Sequence, residues 1–404
     1  MIRSASLLSG SFRNGVTTFA PDVTRNLAQP GHGGNARKQV PEAWENVMGN
    51  GTLQRGQAIS VVAGCALLSC LAVDAASSSA KAADQVKIGI SRTLSDAGYY
   101  VADAKGFFRD EGMDVSITGF NSAAQMIAPL GTGELDVGGG TVSAGFYNAV
   151  GRGILMKIVA DQASIKPGYG YSSLMVRKDL VDSGRYKSFA DLKGMKVAIG
   201  APGTGTASAL NEALKKGGLK YSDVEVVYIG FPEHLPTYKN KGIDASITNE
   251  PTMTRAIEDG VAVRVAGNDV TYPDQQTAVT FFSDHFIKNR RDAAERFMRA
   301  YLRGVRMYND ALKDGRLAGP KANEVIPILV KYTTIKDESM FRRMIPSYCN
   351  PDGEVNVASL KKDLEFFREL GLIEKKDASV EGVVDNSFAR AAVAKLGPYR
   401  PQAN

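Results

Sequence analysis

The 404-residue chain predicts an α/β fold of two lobes, each a mixed sheet flanked by helices, joined by two extended crossings. Three observations carry that expectation. Short apolar or alternating runs alternate with helical patterns from about residue 84 onward, which is the signature of sheets covered on both faces. The pattern restarts at Lys196-Val-Ala-Ile199, which runs into a glycine- and threonine-rich turn and then a helix. A late extended run, Thr277 to Phe282, reads as a return to the first lobe. The predicted domains are 1–82 as an N-terminal extension with an export signal, 83–175 with 277–404 as the first lobe, and 176–276 as a smaller second lobe.

In chain order, Asp84 to Ser91 alternates as a first strand, and Arg92 to Gly98 is a polar loop. Tyr99 to Phe108 reads as one helix, with Tyr100, Ala104 and Phe108 at helical spacing. Met113 to Thr118 is a strand, Ala123 to Gly131 a short helix, and Leu135 to Gly138 a strand that runs into Gly139-Gly140-Thr141. Ile158 to Ala160 and Ser173 to Val176 are further strands. In the second lobe, Val224 to Tyr228, Ala245 to Thr248 and Val261 to Val265 follow Lys196 to Ile199. The remainder is helical. Ala294, Phe297, Met298, Tyr301, Val305 and Tyr308 line one face of Arg291 to Lys313, a stripe that reads as core packing. Helices are also predicted near 321–332, 337–345 and 357–370.

Composition narrows the function. A hydrophobic content of 44% and a charged content of 23% are ordinary for a globular protein, and the length suits about two domains. The net charge of +6 is spread among acids, with none of the basic stripes that nucleic-acid binding needs, so no nucleic-acid partner is expected. Ala58 to Val73 is an uncharged apolar run, preceded by Arg55 and followed by Ala80-Lys81-Ala82, the form of a signal-peptidase site. The signal core is placed at about 55–82. Its depth in the chain suggests a true start at Met48, which peptides from residues 1–47 in the mature protein would refute. Leu67-Leu-Ser-Cys70 loosely resembles a lipoprotein box, so lipid anchoring at Cys70 is the alternative to a free periplasmic protein. Cleavage after Ala82 leaves only Cys349, and neither a disulfide framework nor a metal or cofactor site is expected.

The turn Gly200-Ala-Pro-Gly-Thr-Gly-Thr206 is the main candidate for binding. It stands where a strand meets a helix N-terminus, so free amides and the positive end of the helix dipole point outward. Such a site holds an anion without a basic side chain. Gly203, Thr204, Gly205 and Thr206 are the residues concerned; the alternative is an ordinary tight turn with a threonine N-cap. No lysine follows the glycines, so the turn is not a nucleotide-binding P-loop. Ligands of open α/β sheets bind beyond the carboxyl ends of the strands. That rule selects four loops: 92–95, 139–143, 202–206 and 249–251. Arg92 offers a guanidinium to an anion or is a surface charge. Tyr100 offers a ring to an aromatic ligand or to the core. Thr141 and Ser143 have small side chains after a strand. Asn249 and Glu250 end another strand, Glu250 either binding a cationic or hydroxyl group or serving a structural hydrogen bond. Tyr171, with Tyr169, lies beside a crossing. His32, His234 and His285 have no metal spacing, and no Gly-x-Ser-x-Gly elbow is present.

Four segments resemble the nitrate/sulfonate/taurine and thiamine-precursor-like family of periplasmic substrate-binding proteins of ABC importers, in that family's order. They are Ala104-Lys-Gly-Phe-Phe-Arg-Asp-Glu-Gly-Met-Asp-Val115, Leu130-Gly-Thr-Gly-Glu-Leu-Asp-Val-Gly138, Asp191 to Thr206, and Gly242-Ile-Asp-Ala-Ser-Ile-Thr-Asn-Glu-Pro251. The resemblance spans about Val86 to Leu372. It implies a type II periplasmic-binding fold and hinge closure about the two crossings, near Ser172 to Arg177 and Gln275 to Phe282. It also implies a small organic anion, sulfonate- or carboxylate-type, delivered by a monomer to an ABC permease with its ATPase in the inner membrane. The family's ligand contacts fall at positions such as Thr141 and Ser143. Relatives that act as enzymes in thiamine or menaquinone biosynthesis supply the alternative function. The chain is expected not to be an enzyme.

Overall fold

The computed structural model describes residues 83–401. The signal core, Cys65, Cys70 and Met48 lie outside the described residues. The first part of the chain forms β1 (Asp84–Ile90), α1 (Ala97–Ala104), α2 (Phe107–Asp110), β2 (Met113–Gly119), α3 (Ile127–Thr132), β3 (Val137–Gly140), α4 (Ala144–Gly151) and β4 (Met156–Ser164). The single helix expected over 99–108 is two helices. Gly106 takes φ +76°, a left-handed conformation that ends α1 and that glycine adopts without a Cβ penalty.

A second set follows: β5 (Ser172–Arg177), α5 (Lys178–Asp182), β6 (Lys196–Ile199), α6 (Gly205–Lys216), β7 (Glu225–Tyr228), α7 (Phe231–Lys239), β8 (Ala245–Asn249), α8 (Thr252–Glu258), β9 (Ala262–Gly267) and α9 (Asn268–Thr271). The chain then returns through β10 (Gln276–Ser283) to α10 (Asp284–Asn289), α11 (Arg291–Asn309), α12 (Ala322–Tyr332), α13 (Glu338–Arg343), α14 (Val357–Glu369) and α15 (Ser387–Leu396).

The strands form two five-stranded mixed sheets, ordered β2-β1-β3-β10-β4 and β7-β6-β8-β5-β9. In the first, β1 runs parallel to β2 and β3, while β10 lies antiparallel between β3 and β4. In the second, β6 runs parallel to β7 and β8, and β5 is antiparallel to both β8 and β9. Because β5 pairs entirely within the second sheet, residues 172–175 belong there, and the first crossing is the segment 165–171. The second lobe carries as many strands as the first.

The stripe on α11 is buried throughout, from Ala294 to Tyr308. It packs α11 against α1 and the first sheet, with Tyr99 and Tyr301 ring centroids 4.7 Å apart. Each large apolar side chain buried this way stabilises the lobe by about 1.5–3 kcal/mol. The tyrosine hydroxyls stay satisfied: Tyr301 donates to the Asp161 carbonyl at 2.9 Å and Tyr308 to the Ser347 carbonyl at 2.8 Å. Helix α14 departs from the expected assignment of 277–404 to the first lobe. Its Lys362 pairs with Glu212 of α6 at 2.6 Å, and its Phe366 meets Tyr221 edge-on at 5.3 Å. The segment after it returns to the first lobe, where the Asn148 side-chain amide donates to the Leu372 carbonyl at 2.9 Å. α14 and the segment after it therefore strap both lobes.

Candidate functional site

Strand directions place the carboxyl ends of β1, β3 and β4 on one edge of the first sheet. The carboxyl ends of β6, β7, β8 and β9, with the start of β5, form one edge of the second. Both crossings run between these edges, which face each other and touch. Ser143 and Thr204 form an isolated antiparallel bridge, and the Ala144 amide donates to the Gly203 carbonyl at 2.9 Å. Gly203 has φ +59°, and a Cβ there would stand 2.9 Å from the Ala144 Cβ and 3.0 Å from Leu372 Cδ1. Only a residue without a side chain allows this approach.

Three buried residues, Val197, Ala198 and Ile199, anchor β6 in the sheet and fix the turn that launches α6. Thr204 is extended at the N-cap (φ −123°, ψ 169°) but does not cap the helix. Its Oγ1 instead donates to the Ala201 carbonyl at 2.9 Å and lies 3.0 Å from the Thr206 hydroxyl. The leading amides of α6 thus lack a side-chain acceptor, and the helix dipole adds positive potential there. On the facing edge, Ser143 caps α4 itself, accepting from the Phe146 amide at 3.3 Å. Thr141 is exposed beside it. The recess they line, with Ala123, Phe146 and Phe281, measures about 10 Å³, room for about one water.

Of the other sequence candidates, Tyr171, Asn249 and Glu250 lie along the second-lobe side of the seam, and Arg92 and Tyr100 belong to the first lobe. Arg92 is exposed, in a left-handed conformation (φ +55°), and its side chain lies across Gly119. Tyr100 is fully buried in the first lobe, stacked on Tyr332 at 5.0 Å, with its hydroxyl donating to Asp96 at 3.4 Å, so its ring packs in the core. Tyr171 sits at the first crossing and donates to the Thr277 hydroxyl at 2.8 Å, tying the two crossings together. Asn249 stands at the end of β8, opposite Ser172. The Glu250 carboxylate is taken by three protein donors: the Ile345 amide at 2.9 Å, the Thr254 amide at 3.0 Å and the Thr254 hydroxyl at 2.9 Å. Burial raises its pKa, and those donors pull it back down.

Residues that the sequence reading passed over lie at the same seam. Gln275, buried in the second crossing, donates to the Gly205 carbonyl at 2.7 Å and accepts from the Asn268 side chain at 3.2 Å. Its position just before a predicted strand in a predicted crossing was the available signal. On the first lobe, buried Asp96 accepts from the Thr93 amide at 2.7 Å and from Gln162 at 2.5 Å. Desolvation pushes its pKa up to about 7. His234 is buried in the second lobe between the Thr248 hydroxyl and the Ile229 carbonyl, and burial lowers its pKa. His285 is exposed beside Gly133 on the other lobe, so the two histidines share no site. No group of three or more acidic, cysteine or histidine side chains suited to a metal occurs among the described residues.

The sequence model described as NMT1/THI5 like matches residues 94–312, more than half of the chain. The protein belongs to the NMT1/THI5-like family. Among curated relatives, a Brucella abortus protein provisionally named a binding protein is 29% identical over 237 residues, 58% of this chain and 67% of its own length. A Brachyspira hyodysenteriae protein provisionally named an ABC transporter periplasmic binding protein is 26% identical over 267 residues, 60% of this chain and 72% of its own. Among solved structures, the periplasmic nitrate-binding protein NrtA of Synechocystis PCC 6803 superposes with a TM-score of 0.63 at 15% identity, covering 78% of this chain and 89% of that one. The periplasmic aliphatic sulphonate binding protein SsuA of Escherichia coli gives 0.59 at 17% identity, covering 75% and 92%. The desulfurization enzyme DszB has the same fold, with a TM-score of 0.54 at 13% identity, covering 77% of this chain and 99% of that one. This member of the NMT1/THI5-like family thus has the two-lobed periplasmic-binding architecture. Among the described residues, no helix is long and apolar enough to cross a membrane.

Proposed function

We propose that the protein is the extracytoplasmic solute-binding component of an ABC importer, capturing a small organic anion between its lobes and presenting it to the permease. The observation that carries this reading is the uncapped N-terminus of α6 at the seam where the two lobes meet. An anion seated there satisfies the leading amides and gains from the dipole, and closure over it excludes water. The relatives named as binding proteins support a binding role over a catalytic one, and the nitrate- and sulphonate-binding structural neighbours fit an oxyanion ligand. Gly203 to Thr206 hold the anion in this reading, with Thr141 and Ser143 closing from the first lobe. Asn249 and Tyr171 line the seam. Export by the apolar run at 58–73, a periplasmic location and a monomeric state belong to the same proposal.

A thermal-shift screen of sulfonates, carboxylates, nitrate and pyrimidines tests it. A ligand at about 100 times its dissociation constant stabilises the native state by about 2.7 kcal/mol. A shift for one class of small anions is expected; stabilisation by none of the anions sinks the proposal.

A further inference from the structure

At the seam, the edge of the second sheet holds buried polar atoms that nothing in the protein satisfies. Ser172 and Asn268 are 3% and 1% exposed. Ser172 Oγ, Asn249 Oδ1 and Asn268 Oδ1 have no hydrogen-bond partner. Register brings the three side by side: Ser172 pairs with Asn249, and Ser173 pairs with Gly267, the residue before Asn268. Buried polar atoms in native proteins are nearly always paired, so three together on one edge need a reason.

The network fixes the chemical character of one of them. The Gly205 carbonyl can only accept, so Gln275 must present Nε2 to it, at 2.7 Å. Gln275 Oε1 must then accept, and Asn268 supplies Nδ2 to it at 3.2 Å. Asn268 Oδ1 is therefore left over as an acceptor, whatever the amide assignment at other positions. Gln275 also ties this amide to the first turn of α6, the turn read above as the anion seat.

We infer that the ligand is an anion that also carries an N–H or O–H donor, which Asn268 Oδ1, Ser172 and Asn249 receive when the anionic group sits on α6. This inference rests on the anion reading and narrows it. A plain anion would leave the acceptors buried and unpaired, a cost that a donor-bearing anion removes.

The test compares matched anions on the full-length protein by titration calorimetry: ethanesulfonate with its 2-hydroxy and 2-amino derivatives, and propionate with its 3-hydroxy and 3-amino derivatives. In the series that binds, a donor-bearing member is expected to bind about tenfold tighter than its parent, or more. A gain for both derivatives means that a neutral donor suffices; a gain for the amine alone means an ammonium is read. In Asn268→Leu that advantage should shrink to less than about threefold, and in Ser172→Ala, the milder change, it should narrow without vanishing. Parents and derivatives binding equally well would overturn the inference while leaving the anion seat standing. An undiminished gap in both variants would overturn the assignment to these residues. Failure of every anion to bind would overturn both.

Discussion

The two edges that meet at the seam handle buried polarity in opposite ways. On the first lobe, the buried carboxylates are heavily bonded. Asp96 takes hydrogen bonds from Thr93, Gln162 and Tyr100, and Asp161 from Asn350, Gln276 and Ser164. Among the described residues of that lobe, Gln162 Oε1 and the Tyr147 hydroxyl are unpaired. On the second lobe, the edge is made of glycines, threonines and short amides, with an uncapped helix and three unpaired oxygens. The first edge is nearly a finished frame, its carboxylates satisfied, and the second is an unfinished surface. A half-satisfied buried network is costly, and its retention is best explained by a molecule that completes it.

The largest effect should come from breaking the contact between them. Gly203→Val places a branched side chain where φ is +59° and where even a Cβ meets Ala144 and Leu372. The left-handed backbone costs about 1–3 kcal/mol in either state of the lobes, while the clash operates only when they close. Ligand affinity should fall about 100-fold, near 2.7 kcal/mol. X-ray scattering should show a larger radius of gyration than that of the parent protein. Unchanged affinity and dimensions would mean that the seam is not the closing surface.

Glu250 gives the next test, because it lies on the unfinished edge yet is fully engaged. Removing its carboxylate in Glu250→Ala strands the Ile345 and Thr254 amides, and each buried orphan costs about 1–3 kcal/mol. A loss of about 2–4 kcal/mol in urea unfolding is expected, with Glu250→Gln losing less than half of that, since its carbonyl still accepts. A Glu250→Gln variant of undiminished stability that no longer binds the anion would instead make Glu250 a ligand contact.

Glu250 and Tyr100 also mark how far the sequence could be read. Strand and helix alternation located both sheets, because residues such as Val197 to Ile199 bury every side chain and leave little choice of structure. The stripe on α11 was equally plain, since period alone sets which face is buried. The turn at 200–206 was visible as a glycine- and threonine-rich break between a strand and a helix. What a side chain touches across the fold was not visible. Tyr100 has the spacing of either a core or a cleft residue, and only the position of Tyr332, more than 200 residues on, decides between them. Gln275 gave less warning still. Its role depends on Gly205 and Asn268 meeting across a crossing, and local pattern cannot encode that. The strap formed by α14 escaped for the same reason: its apolar face predicts burial but not which lobe receives it.

The smallest effect probes the finished edge. Asp96 is fully buried, and desolvation holds its carboxyl at about 7, against an ordinary value of 3.8. The folded chain therefore binds this proton more tightly than the unfolded chain does. Between about pH 4 and 7 the native state carries more protons, so this group's contribution to stability falls as pH rises through that window and levels off above it. The slope for one group is at most about 1.4 kcal/mol per pH unit. Exposed acids with lowered pKa values, such as Glu324 with its two lysines, contribute in the opposite sense. The informative quantity is consequently the difference between the wild type and Asp96→Asn, which keeps the shape but cannot titrate. Denaturant unfolding from pH 4 to 8 should show the wild type losing stability relative to the variant as pH rises, with the gap levelling off above pH 7. A pH-independent difference would mean that Asp96 is ionised throughout, held so by its donors, and that the first edge carries a buried negative charge.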